Sequence, residues 1–126
     1  MEETPIARST AEVAGILAFQ KVKQQHPEIA GCYEFYMREQ QDLFARKMLD
    51  YGISNISVGT QLKTPAEVRM AMTGLFFRMN DKLSRMKQLV VLDNKANVTD
   101  EKVKDTMQDI ANYALIAQIV DSGNWK

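Results

Sequence analysis

The sequence has little of what most catalytic and metal sites are built from. It contains one cysteine, Cys32, and one histidine, His26. A single thiol cannot form an intramolecular disulfide, and one cysteine with one histidine is too small a ligand set for a structural zinc site. The sequence also shows no Ser–His–Asp set, no glycine-rich phosphate loop and no HExxH motif. We interpret Cys32 as a packing residue and His26 as a surface residue.

Net charge and long apolar runs are also missing. Sixteen basic and sixteen acidic residues cancel, which argues against a duplex-DNA binder but not against a small anionic ligand. No run of roughly 18 apolar residues occurs, so we expect no transmembrane helix. The start does not resemble a signal peptide, and we expect a cytoplasmic protein. The length of 126 residues predicts a single domain over 1–126, with a loose tail over 1–8.

What the sequence does have is helical periodicity. Apolar residues recur three and four positions apart in four segments, which is typical of amphipathic helices. Because such helices must bury their apolar faces against each other, we predict an all-α bundle of about four helices. The predicted bounds are 10–25, 28–50, 65–91 and 99–120.

The predicted ends of these helices rest on local signals. Thr64, Pro65 and Glu67 form the sequence pattern of a capping box, which marks the start of the third helix. Gly52 suits a residue of positive φ that ends the second helix. The segment 51–64 breaks the periodicity and predicts an ordered loop with at most a short extended piece.

An acidic row runs along the fourth predicted helix. At about 100° per residue, one strip carries Glu101, Asp105, Asp109 and Asn112. We expect the opposite side to be buried, through Val103, Met107, Ile110, Ala114 and Ala117. The row is open to two interpretations. It is either a solvated face or a cation site, since carboxylate rows on bundle helices can form oxygen-only Mg²⁺ sites.

The residues that follow the acidic row favour a cation site over a solvated face. Ile116 and Ile119 follow on the same side, so this side meets another helix or subunit, and carboxylates beside such a contact need a cation or hydrogen bonds. On this interpretation we expect Asp105→Asn and Asp109→Asn to leave the fold intact and to relieve a small i,i+4 repulsion.

Basic residues lie on the second and third predicted helices. Arg78, Lys82 and Arg85 share one side of the third helix. They are either surface cations covering apolar neighbours or a clamp for phosphate oxygens. Lys47 and Asp50 lie near the end of the second helix, where Asp50 is unfavourable for the helix dipole. Tyr51 beside them either stacks on a base or covers the core.

Three segments together resemble a known family. They are KMLDYG, RMNDKLSRMKQL and DEKVKDTMQDIANYALIA, and they resemble the nucleotide modification associated domain family of phages and bacteria over about 33 to 120. The resemblance implies a helical fold and a link to nucleotide metabolism. The polar positions it implies are Lys47, Asp50, Tyr51, Gly52, Arg78, Asp81, Lys82, Arg85, Glu101, Asp105, Asp109 and Asn112.

A looser similarity extends to the all-α nucleotide pyrophosphohydrolases of the MazG and dimeric dUTPase type. These enzymes hold Mg²⁺ with Glu-x-x-Glu and Glu-x-x-Asp pairs on bundle helices. The present chain instead has Glu101, Asp105 and Asp109 at a spacing of four. This departure sets the chain apart from the pyrophosphohydrolase pattern but not from a helical, nucleotide-binding one.

Three functional hypotheses follow, in order of preference. In the first, a phage-type protein binds a nucleotide and hydrolyses a phosphoanhydride; Mg²⁺ is held by Glu101, Asp105 and Asp109, and Asp109 or Asp105 orients the attacking water. Its substrate-binding residues are Lys47, Asp50, Tyr51, Arg78, Lys82, Arg85 and Asn112. In the second, the protein sequesters a nucleotide without turnover, and its carboxylates pair with Arg and Lys. In the third, it is a structural helical oligomer.

Self-association is a further prediction of the sequence. The fourth helix is apolar on nearly all sides after Tyr113, and a small domain has little room to bury such a helix. We therefore expect a homo-oligomer.

Overall fold

The computed structural model describes residues 9–95 and 103–126, and its four long helices follow the predicted order. The predicted tail, 1–8, and positions 99–102 of the last predicted helix lie outside these ranges. No β-strand occurs in the described residues, so the all-α prediction is confirmed. The helices are α1 (Thr10–Gln25), α2 (Pro27–Tyr51), α3 (Ser54–Ser57), α4 (Pro65–Met86), a π-helical turn (Lys87–Val91) and α5 (Val103–Asp121).

Local signals determine the helix ends as the sequence predicts. The Thr64 side chain accepts a hydrogen bond from the Glu67 backbone N–H at 3.2 Å, and the Glu67 carboxylate accepts one from the Thr64 N–H at 3.0 Å. Both halves of the capping box are therefore present. Gly52 ends α2 with a φ of 67°, where a residue without a Cβ avoids strain.

The segment 51–64 differs from its prediction. It contains the short helix α3 instead of an extended piece. Ile56 and Ser57 of α3 are buried, at 5% and 4% exposure. No helical period could be recognised here, because four residues are too few to show one.

Contacts group the chain into two compact units, 1–39 and 40–126, with the boundary inside α2. The prediction of a single domain stays a prediction. In the first unit α1 buries none of its residues. The Phe19 and Tyr33 rings lie 5.7 Å apart, and Lys23 pairs with Glu34 at 2.6 Å. The interpretation of Cys32 as a packing residue is wrong, since its thiol is exposed.

The second unit contains an apolar core between α4 and α5, which pack against each other. Phe44 and Met48 of α2 pack against this core, and the Gln40 side-chain amide donates to the Gln108 carbonyl of α5 at 2.9 Å. The buried members of the core are Ile56, Ala71, Leu75, Ile116, Val120 and Trp125.

The buried face of α5 is not the one that the sequence predicts. Met107, expected in the core, is 45% exposed, whereas Thr106 and Asn112 are buried. The prediction failed because α5 is apolar on several sides, so apolar spacing alone does not select a face. The predicted acidic row instead borders the packed face.

No helix in the described parts of the chain is long and apolar enough to span a membrane.

Candidate functional site

Three helices of the second unit bring two lysines to one carboxylate. Lys47 of α2 donates to Asp109 Oδ1 of α5 at 3.0 Å. Lys82 of α4 lies 3.0 Å from Asp109 Oδ2. The side chains of Lys47, Lys82 and Asp109 are 32%, 24% and 18% exposed, so the group is largely withdrawn from solvent. We call these three residues the Asp109 triad.

The pKa of Asp109 reflects two opposed effects. Burial of the carboxyl group raises its pKa, and the hydrogen bonds and charges of Lys47 and Lys82 lower it further than burial raises it. The net pKa lies below the ordinary value of an aspartate. Asp109 is therefore an anion at neutral pH, and a poor candidate for a general acid or base there.

A pocket lies beside the triad and shares Lys47 with it. Its enclosed space is about 40 Å³, or about 370 Å³ when the open mouth is counted, and its walls come from α2, α3, α5 and the segment that follows α5. Aromatic and aliphatic side chains dominate the lining, a composition typical of small-molecule sites. The lining residues are Phe44, Lys47, Met48, Tyr51, Gly52, Asn55, Ile56, Asn112, Tyr113, Ile116 and Trp125.

Trp125 is fixed in the wall of this pocket. It is 6% exposed and belongs to the apolar core. Its indole N–H donates to the Ile53 carbonyl at 3.1 Å, which satisfies the one polar group of the ring. Because Trp125 is the only tryptophan of the chain, its fluorescence reports on this pocket alone.

Two cations lie against the ring of Tyr113. The Lys47 ammonium is 5.9 Å from the ring centroid, and the Arg78 guanidinium carbon is 5.8 Å from it. Both distances fall within the range of a cation–π contact. Arg78 also donates to the Asn55 backbone carbonyl at 3.1 Å. Arg78 thus connects α4 to α3 and holds its charge near the pocket wall.

Asn112 is the most unusual residue of the lining. Its side chain is 1% exposed. Neither its amide nitrogen nor its amide oxygen has a hydrogen-bond partner among the described residues. Buried amides are normally hydrogen-bonded, so an unpaired one beside a pocket calls for an explanation.

Comparison with family models identifies the segment that holds this site. The model described as nucleotide modification associated domain 1 matches residues 47–120, more than half of the chain. The chain belongs to this family. Comparison with curated proteins and with solved structures found no match.

The nucleotide modification associated domain 1 segment contains most of the predicted site residues. The structure brings together Lys47, Lys82 and Asp109, and it places Tyr51 and Asn112 in the pocket wall. Arg78 is linked to the same wall through Asn55 and Tyr113. These predicted site residues lie closer together in the structure than their spacing along the sequence predicts.

The other predicted site residues of this family member either do not line the pocket or lie outside the described residues. Asp50 is exposed and is not among the pocket-lining residues. Arg85 and Asp105 are half-buried and have interaction partners, but neither lines the pocket. Glu101 lies outside the described residues.

Two of the three predicted metal ligands, Asp105 and Asp109, lie in the described residues, and the metal site stays a prediction. No group of three or more His, Cys, Asp or Glu side chains in residues 9–95 and 103–126 could hold a metal ion. Both Asp109 oxygens instead contact lysine ammonium groups. A cation at Asp109 would have to displace them, so this carboxylate as arranged does not fit a metal ligand.

Sequence reasoning missed Asn55, Tyr113 and Trp125. Asn55 belongs to a segment that looked like a loop, and Tyr113 was noted only where the apolar run begins. Trp125 follows the last predicted helix, which ends at position 120. Its signal was available, because tryptophan has a large apolar ring that contributes strongly to cores and an N–H that is usually hydrogen-bonded when buried.

Proposed function

We propose that the chain binds a nucleotide in the second unit, with the base in the aromatic pocket and the phosphates beside Lys47. The observation that carries the proposal is that Lys47 belongs both to the lining of an aromatic pocket and to the Asp109 triad. One side chain thus joins an apolar cavity to a cluster of cations. A nucleotide has the matching form, a planar ring joined to an anionic tail.

The aromatic residues of the pocket support the base half of the proposal. Tyr51, Tyr113 and Trp125 all lie in the lining. Stacking on such rings stabilises a bound base by about 1–3 kcal/mol for each base. Tyr51 is 62% exposed, so it is placed to cover a ring that enters from the mouth.

The basic residues support the phosphate half. An ammonium group has three N–H donors, and Lys47 uses one of them on Asp109. The others are available to a phosphate oxygen without breaking the triad. Arg78 adds a second positive charge near Tyr113. Charge-assisted hydrogen bonds of this kind are about twice as strong as neutral ones.

The state of Asp109 favours binding without turnover. Its carboxylate is paired with two lysines, which is the pattern expected for a module that sequesters a nucleotide. Metal-assisted hydrolysis and Mg²⁺ binding stay predictions, and so does a place in phage-type nucleotide metabolism. The name of the family, nucleotide modification associated domain 1, agrees with a nucleotide ligand in either case.

The test is a titration of nucleotides against Trp125 fluorescence, with the unfolding midpoint as a second readout. Bound ligand raises the midpoint by mass action. We expect at least one nucleotide to change both signals in a saturable way. If no ribo- or deoxyribonucleotide changes either signal, the proposal is wrong. Parallel titrations in Mg²⁺ and in EDTA decide whether a metal is needed.

Lys47→Met separates the two halves of the ligand. We expect the variant to bind nucleotides at least tenfold more weakly and to bind the matching nucleoside, which lacks phosphate, almost unchanged. Lys87→Met is the matched control, since Lys87 is an exposed lysine of the same unit. Equal weakening of nucleotide and nucleoside would place the phosphates away from Lys47.

Self-association also stays a prediction. Exposed apolar residues that favour it lie in both units, and Leu49 and Val91 of the second unit are 86% and 74% exposed. In the first unit, Ile29, Tyr33 and Phe35 are 65%, 56% and 50% exposed. Sedimentation at tens of micromolar tests the prediction, and a strict monomer would contradict it.

A further inference from the structure

We infer that Asn112 pairs with the hydrogen-bonding edge of a pyrimidine base, an inference that rests on the nucleotide-binding function proposed above. The starting point is the unpaired amide. The Asn112 side chain lines the pocket at 1% exposure, and its N and O atoms have no partner within the described residues.

An unpaired buried amide destabilises the free protein. Removing such a polar group from water without a compensating hydrogen bond costs about 1–3 kcal/mol. A leucine at this position would have a similar size and no such penalty. The amide is therefore explained best by a partner that enters the pocket.

The chemistry of the amide defines that partner. A carboxamide offers an acceptor beside a donor, at the end of one short side chain. It is complementary to a ligand edge that presents a donor beside an acceptor. The N3–O4 edge of uracil or thymine and the N3–N4 edge of cytosine both have this arrangement.

The size of the pocket favours a single-ring base. The enclosed space is about 40 Å³, and a volume of about 370 Å³ is reached only when the open mouth is counted. Because the enclosed space is smaller than any base, the ring must enter from the mouth and the walls must open to admit its edge. A pyrimidine requires less opening beside Tyr51, Tyr113 and Trp125 than a purine does.

The surroundings leave Asn112 as the main group that can read the base. Among the other polar groups of the lining, the Trp125 indole N–H donates to the Ile53 carbonyl and Asn55 accepts from Arg78, whereas the Asn112 amide has no partner within the described residues. Sites that hydrogen-bond a ligand through buried polar groups discriminate strongly against ligands that lack the matching atoms. Asn112 would therefore set specificity, while Lys47 would respond to phosphate on any nucleotide.

The test compares wild type with Asn112→Leu in titrations of pyrimidine and purine nucleotides, followed by Trp125 fluorescence. We expect the variant to bind pyrimidine nucleotides at least tenfold more weakly. We also expect its unfolding midpoint without ligand to rise, because the unpaired amide is gone. Lower affinity together with higher stability is the result that a merely structural role would not give.

Two controls separate loss of base recognition from damage to the pocket. Asn80→Leu makes the same change at an exposed position of α4 and should alter neither readout. Inorganic tripolyphosphate, which has no base, should bind wild type and Asn112→Leu equally.

The outcomes that overturn this inference differ from those that overturn the proposed function. If wild type binds no nucleotide, the nucleotide-binding function itself is wrong. If wild type binds nucleotides and Asn112→Leu binds them as tightly, the amide does not read the base, and an ordered water that satisfies it is the better account. Tighter binding of purines than of pyrimidines by wild type would contradict the base class.

Discussion

Helix α5 buries side chains of two kinds along one packed face. In its first half the buried residues are polar, with Thr106 and Asn112 at 0% and 1% exposure. In its second half they are apolar, with Ile116 and Val120 at 5% and 1%. Both halves are equally withdrawn from water, but only the second is built from residues whose burial is favourable in itself.

The difference separates stability from function within a single helix. The apolar half joins Ala71 and Leu75 of α4 in the core. The polar half carries Asp109 with its two lysines and Asn112 with its unpaired amide. A protein selected for stability alone would place apolar side chains there, since buried ion pairs are often no better than apolar replacements. The polar half is therefore the part of α5 expected to serve a ligand.

The largest expected effect lies in the core that the apolar half of α5 forms with α4. Leu75→Ala should lower the free energy of unfolding by about 2–5 kcal/mol, because Leu75 is 2% exposed and its removal leaves a cavity. Denaturant unfolding measures it. Leu83→Ala is the control on the same helix, and at 54% exposure it should change stability by much less. Equal losses of unfolding free energy at both positions would show that Leu75 is not a core residue.

A smaller effect is expected in the polar half. Asp109→Asn should destabilise the protein by about 1–3 kcal/mol at neutral pH, between the values for exposed and fully buried pairs. This replaces the expectation from the sequence that the change relieves repulsion, because the structure surrounds Asp109 with lysines. Asp121→Asn, at an exposed position of α5, should have almost no effect.

The destabilisation caused by Asp109→Asn should depend on pH with a defined sign. The pKa of Asp109 is lowered in the folded protein, so its stabilising contribution is fully present above the ordinary pKa of about 3.9 and is lost as pH falls through the lowered value. The difference in unfolding free energy between wild type and Asp109→Asn should therefore shrink in acid. A difference that stays constant down to pH values of about 3 would contradict the ion-paired state.

The polar half of α5 also shows which features could be predicted from the sequence and which could not. The Thr64–Glu67 capping box and the ends of the first three predicted helices depend on residues close together in the chain. The structure agrees with these predictions to within a residue, with a π-helical turn as the last part of the third helix. The Asp109 triad depends on Lys47, which is 62 positions away, and no local pattern contains that pairing. The acidic row was found as an alignment, but its partners and its burial needed the tertiary structure.

The short helix α3 illustrates the same limit. Asn55 accepts from Arg78 across 23 positions of the chain, and Ile56 enters the core. The four residues of α3 lie between turn formers and are too few to show a helical period or a cap. Neither role could therefore be predicted from the sequence. The pocket wall was therefore the least predictable part of the site, although the family resemblance pointed to most of its polar residues.

The smallest expected effect tests the two assignments of the buried face of α5 against each other. Apolar spacing predicts Met107 in the core, where Met107→Ala would cost about 2–5 kcal/mol. The structure leaves Met107 45% exposed, so we expect a loss below about 1 kcal/mol, as for most surface substitutions. Unfolding should be measured at low protein concentration, with sedimentation of the same samples. A loss of 2 kcal/mol or more in a monomeric sample would mean that Met107 is buried, as apolar spacing predicts, and that the acidic row is solvated. A loss that appears only as the chains associate would place Met107 in a contact between copies and leave the polar half of α5 facing the pocket.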